Sequence, residues 1–137
     1  MSDVIARIHR CVAVGELDKS ILAELHACGT AVHECEVLDF KQQLPDSDFE
    51  YAKTVRDLVA LHNSFGGFLV FGVREMERDR SFELIGVEEN KLHIAKLRDL
   101  ARSYLGKDVR IKPFGMQVGE VHLDGLWVAK RSLGENP

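Results

Sequence analysis

The chain has 137 residues, of which 45% are hydrophobic and 29% charged, the size and composition of one globular domain and not of a disordered tail. Its net charge of −4 provides no overall positive field to attract nucleic acid. No run approaches the ~20 apolar residues of a membrane span, and no charged start followed by an apolar run marks a signal peptide, so a cytoplasmic, non-membrane protein is expected.

The elements follow in chain order. Val4, Ile5, Ile8, Cys11 and Val12 recur at helical spacing, predicting a helix over Asp3–Val14 that Ser2 or Asp3 caps and Gly15 ends. Ile21, Leu22 and Leu25 predict a second helix over Leu17–Cys28, stopped by Gly29. Glu36–Gln42 has β-formers at its centre and reads as a strand. After a turn at Pro45, Asp46 and Ser47, a long helix runs to Asn63 with Ala52, Val55, Leu58, Val59 and His62 as its stripe, and Gly66-Gly67 breaks it. Phe68–Val73 is a nearly continuous apolar run, the mark of a strand covered on both faces. Phe82–Val87 reads as its hairpin partner across a charged loop. A helix over Asn90–Leu105 follows, closed by Gly106, and the tail holds strands over Val109–Val118 and Val121–Lys130, with Asp124-Gly125 as a candidate tight turn.

The three cysteines, Cys11, Cys28 and Cys35, are odd in number and lack C-x-x-C spacing. That argues against a disulfide framework or a zinc knuckle and fits reduced thiols. The six histidines show no metal-ligand spacing. Charge is uneven. Between Lys91 and Lys112 stand seven bases and two acids, a net of +5, which leaves −9 for the rest of the chain. Such asymmetry fits either a polyanion-facing side or a solvated helix face followed by a charged strand edge.

Three pieces carry chemistry. In Glu34-Cys-Glu-Val-Leu-Asp39-Phe-Lys41, residues 39 and 41 share one face of a strand. In Asn63-Ser-Phe-Gly66-Gly67, the glycine pair is either a helix stop or a place where a phosphate meets exposed N–H groups. In Gly72-Val73-Arg74-Glu75, an acid follows the buried strand, and Ile85-Gly86 returns in the next one. Trp127 either stacks a base or packs in the core.

In this order the pieces resemble the Schlafen and Alba-like DNA-binding core family over roughly residues 34 to 90. The matches are Glu34, Asp39, Phe40 and Lys41; Ala60, Asn63, Gly66 and Gly67; Gly72, Val73 and Glu75; and Ile85 with Gly86. The resemblance implies an α/β (α+β) domain with a single mixed β-sheet flanked by helices. It divides the chain into an N-terminal helical segment (1–33), the core (34–132) and a linker-like end (133–137). Nuclease members carry three acids that hold a divalent metal, which by position are Glu34, Asp39 and Glu75. Two departures stand out: position 39 is Asp where the family usually has Glu, and Arg74 replaces an acid. Glu77 is a substitute for Glu75 if the loop is shifted.

Three readings follow. The leading one is a nucleic-acid-binding module, the N-terminal part of a larger protein, contacting phosphates through Lys41 and the basic stretch, above all Lys96, Arg98, Arg102 and Lys112. The second is a Mg²⁺- or Mn²⁺-dependent ribonuclease acting on structured RNA through Glu34, Asp39 and Glu75. The third is a protein-interaction or effector module fused to an NTPase, for which a homo-oligomer is one expected form of partnership.

Overall fold

The computed structural model describes residues 2–22, 37–76 and 82–131. Its elements are α1 (Ser2–Val14), β1 (Leu38–Lys41), α2 (Asp48–Asn63), β2 (Gly67–Phe71), β3 (Val73–Glu75), β4 (Phe82–Leu84), α3 (Ile94–Leu105), β5 (Ile111–Val118) and β6 (Val121–Val128). Residues 19–22 are also helical. The predicted end of that second helix, Glu34, Cys28, Cys35, Glu77 and the stretch 133–137 lie outside the described residues.

Four strands form one mixed sheet in the order β1-β2-β6-β5, and β3 pairs with β4 in a separate two-stranded sheet. β1 runs parallel to β2, with Asp39 beside Leu69 and Lys41 beside Phe71. β6 is antiparallel to both β2 and β5. All five residues of β2 are buried, as its unbroken apolar run requires of a strand covered on both faces. Phe68 and Val70 point into a layer shared with Ile8 and Val12 of α1 and with Ile21 and Leu22. Leu69 and Phe71 point the other way, toward Val55 and Leu58 of α2 and Leu97 and Ala101 of α3. The mixed sheet between helices is the architecture expected from the sequence.

Several local expectations are corrected. The run Phe68–Val73 is split: β2 sits between β1 and β6, and the expected hairpin with Phe82–Val87 forms only past Phe71, where Val73 of β3 pairs with Leu84 and Gly72 accepts from the Ile85 and Gly86 N–H groups. Asp124-Gly125 is not a turn but lies within β6, and the chain reverses at Gly119 and Glu120. Gly125 stands opposite Phe114, and a Cβ there would fall 2.2 Å from the Phe114 ring, so the glycine makes room for an aromatic ring and not for a bend. The stripe of α2 includes Tyr51, while Ala52 is exposed. α3 starts at Ile94 and not at Asn90, which adopts φ +62° in the preceding loop.

Side-chain hydrogen bonds place both ends of α2. Ser47 accepts from the Glu50 N–H at its N-cap, and His62 Nδ1 lies 2.7 Å from the Ala129 carbonyl oxygen, the packed histidine expected from its place on the stripe. Trp127 is buried, and its indole N–H donates to the Val12 carbonyl of α1 at 2.9 Å. It therefore packs in the core and is not a base platform. Among the described residues no helix is long and apolar enough to cross a membrane.

Candidate functional site

β1 is the edge strand of the parallel pair, and its alternation buries Leu38 and Phe40 while Asp39 and Lys41 emerge on the α2 side. There Lys41 Nζ meets two carboxylates, Asp57 of α2 at 2.6 Å and Asp39 at 3.3 Å. The lysine side chain is about one-third exposed. Burial pulls its pKa down, but the hydrogen bond to Asp57 and the charge of Asp39 outweigh that pull and hold it above the ordinary lysine value. Asp57 was not singled out from the sequence, because only the packing of α2 on β1 brings it to Lys41. A recess of about 330 Å³ opens beside this cluster, walled by Leu44, Lys53 and Thr54.

Across the 42–45 segment lies a larger groove of about 780 Å³, bounded by Asp48 and Tyr51 of α2 and by Lys91, His93 and Lys96. The Lys96 ammonium lies 4.8 Å from the Tyr51 ring centroid and pairs with Asp48. The backbone N–H of His93 donates to the Tyr51 hydroxyl at 3.1 Å, which fixes the ring between the two helices. Lys96 holds the Asp48 carboxyl below the usual carboxylate range. The Asp48 side chain is 93% exposed, so the pair is screened by solvent and adds little to stability.

The other expected cations do not join this groove. Arg98 donates to the Ile111 carbonyl at 2.9 Å, tying α3 to β5. Arg102 bonds Asp108 at 2.6 Å and lies 3.4 Å from Asp99, and Asp108 raises its pKa. Arg110 sits over the Trp127 ring at 5.3 Å. Lys112 is exposed on edge strand β5, where it lines a hollow with Gly15 and Lys19 next to α1. The single basic face expected from residues 91 to 112 is thus dispersed, leaving Lys91 and Lys96 in the groove.

Of the three family acids, Asp39 stands in the lysine cluster and Glu75 closes β3 at an exposed position opposite Phe82, while Glu34 is outside the described residues. Among the described residues no group of three His, Cys, Asp or Glu side chains is arranged to hold a metal. The Asp39 and Asp57 oxygens are the hard donors that Mg²⁺ or Mn²⁺ takes. The glycine pair acts as a helix stop with close backbone packing. Gly66 has φ +75°, and a Cβ there would lie 2.7 Å from the Lys130 nitrogen; at Gly67 it would lie 2.6 Å from the Val37 oxygen. No phosphate cradle is needed to explain either. The pair His122 and Asp124, two apart on β6 and 2.7 Å from each other, was also missed; their alternate spacing on a strand is the signal that would have found them.

The profile of the Schlafen, AlbA_2 family matches residues 34–131. The chain belongs to this family. No curated protein matches it. Among solved structures, the N-terminal domain of a RecG-related protein from Nitrosomonas europaea, determined by solution NMR, is similar with a TM-score of 0.51 and 22% identity over 80% of this chain and 73% of that one. At that identity the likeness concerns the fold. The Schlafen, AlbA_2 match begins at residue 34, so α1 is an addition on the N-terminal side of the matched region that packs into the same core.

Proposed function

We propose that this Schlafen, AlbA_2 domain binds nucleic acid through the groove between α2 and α3, as one module of a larger protein. The observation that carries the reading is the meeting of Lys91, from the loop before α3, and Lys96, from α3 itself, in one open groove beside α2. Phosphates neutralise such cations with release of counterions. The Lys96–Asp48 pair is exposed enough for a phosphate to replace Asp48 at little cost. Lys41 is less available, since two carboxylates hold it. The membership of the structural neighbour in a protein described as RecG-related, a DNA helicase class, agrees with a fused nucleic-acid module.

A second reading, metal-dependent RNA cleavage, is favoured by the Asp39–Lys41–Asp57 cluster. Two carboxylates beside a fixed ammonium suit a site at a scissile phosphate: the acids would hold Mg²⁺ or Mn²⁺, with Glu34 and Glu75 as further family positions, and Lys41 would steady a phosphate oxygen. Such an ion, when bound, lowers the pKa of a coordinated water and neutralises developing charge.

One experiment separates the readings. The chain is incubated with transfer RNA and with single- and double-stranded DNA, with and without Mn²⁺, beside the Asp39→Asn variant. Binding without cleavage establishes the leading reading. Mn²⁺-dependent RNA cleavage lost in Asp39→Asn establishes the second, and no interaction with any nucleic acid overturns both.

A further inference from the structure

A separate recess of about 360 Å³ opens where the 88–94 loop meets β5 and β6. That volume falls at the small end of ligand pockets, which run from roughly 300 to 1,000 Å³. Its polar groups converge from two segments. His122 Nε2 lies 2.7 Å from Asp124 Oδ1, and His122 Nδ1 lies 3.8 Å from Glu89 Oε1. The His122 and Asp124 side chains are only 18% and 15% exposed. Gly115, in register with Asp124, clears the floor: a Cβ there would stand 2.9 Å from His122 Cε1 and 3.3 Å from Asp124 Oδ1. Leu92, Ile94 and Pro113 supply apolar walls.

The donor and acceptor pattern selects the ligand. Two carboxylates repel a phosphate or any other anion. A carboxylate only accepts hydrogen bonds and has about four lone-pair sites, of which the His122 contact uses one on Asp124. A flat ligand with adjacent N–H donors and apolar faces meets both demands. The recess also adjoins the proposed groove. The 88–94 loop is their common wall, with Lys91 and His93 on the groove side and Glu89, Asn90 and Leu92 on the recess side. A shallow surface over Leu92, Ile94 and Lys96 joins the two around the start of α3.

We propose that this recess reads one unpaired guanine, whose ring N–H and exocyclic amine meet the Asp124 and Glu89 carboxylates while neighbouring phosphates lie along Lys91 and Lys96. The inference rests on the nucleic-acid reading and adds base selectivity to it. Enzymes and single-strand binders read an extruded base in this way, by hydrogen bonds to its pairing edge inside a fitted pocket.

The test has two arms on the intact chain. In one, the His122 ring signal, assigned with a His122→Asn variant, is followed by NMR as guanosine or adenosine monophosphate is added. In the other, short single-stranded RNAs with a central guanine, inosine or adenine are titrated by fluorescence anisotropy. Guanosine alone should move the His122 signal, and the guanine oligomer should bind on the order of tenfold tighter than the inosine one, which lacks the exocyclic amine. Asp124→Asn should erase that preference and leave adenine-oligomer binding unchanged. Glu89→Gln, at a loop side chain 65% exposed, should weaken the preference without touching the strand. Equal binding of the three oligomers with an unmoved His122 signal overturns the recess and leaves the nucleic-acid reading standing. If no oligomer binds, that reading falls and the nucleotide titration alone decides the recess.

Discussion

Lys41 and Arg102 are both cations held by two acids, yet their surroundings differ. The partners of Arg102, Asp99 and Asp108, lie within its own stretch of chain, and its side chain is 58% exposed. Lys41 has Asp39 two residues before it but also Asp57 from a different element, and it is only 34% exposed. The first arrangement is local charge compensation on a solvated helix. The second exists only when α2 packs against β1. A count of bases along the sequence treats the two alike, which is why the run from Lys91 to Lys112 promised a larger cationic face than the fold assembles.

The contrast is tested most strongly at the groove. Lys91→Glu with Lys96→Glu should lower nucleic-acid affinity at least about tenfold and reduce the slope of log affinity against log salt by about 2. Arg102→Glu should shift affinity by less than about twofold, and a comparable loss in both variants would restore the single basic face. Next in size, Lys41→Met should leave Asp39 and Asp57 facing each other and cost about 1–2 kcal/mol in urea unfolding, between the values for exposed and buried pairs. It should also tighten Mn²⁺ binding in calorimetry, because the ammonium no longer competes for the carboxylates.

The same pair has a defined pH signature. The folded Lys41 pKa is raised, so its contribution is complete below the unfolded value of about 10.4 and is lost as pH climbs through the folded one. Urea midpoints of the native chain and Lys41→Met should therefore differ by a constant amount near neutrality and converge only at strongly alkaline pH. Smaller still, Arg98→Ala removes a charged donor from the Ile111 carbonyl and should cost about 1 kcal/mol by denaturant unfolding, with affinity unchanged. Arg102→Ala, in the exposed local pair, should leave the denaturant midpoint essentially unchanged by the same measurement.

What could be read from the sequence was what local spacing encodes. The continuous apolar run of β2 and the helical stripe of α2 announced a strand buried on both faces beside a helix, and they were found so. The glycines misled where their cause was distant. Gly125 resembles a turn residue only until Phe114 is known to lie across it from the neighbouring strand. Within the candidate site, Asp39 and Lys41 were legible as a same-face pair, whereas Asp57 and the ring of Tyr51 reach their places through helix packing that no short motif records. The long basic run failed as a guide because Arg98 and Arg110 are engaged by a carbonyl and an indole, partners that a charge count does not see.

The hydrogen bond from Trp127 to Val12 spans 115 positions and reaches outside the family-matched region. A fragment cut at residue 34 would leave that indole N–H without its acceptor and strip Ile8 and Val12 from the face of Phe68 and Val70. Because Trp127 is the one tryptophan in the chain, its fluorescence is a ready-made gauge of this attachment. A red shift in emission before the far-ultraviolet circular dichroism of the sheet and its helices is lost would show the first helix peeling away as a separate step, and a single coincident transition would show that the helix and the matched core melt as one body.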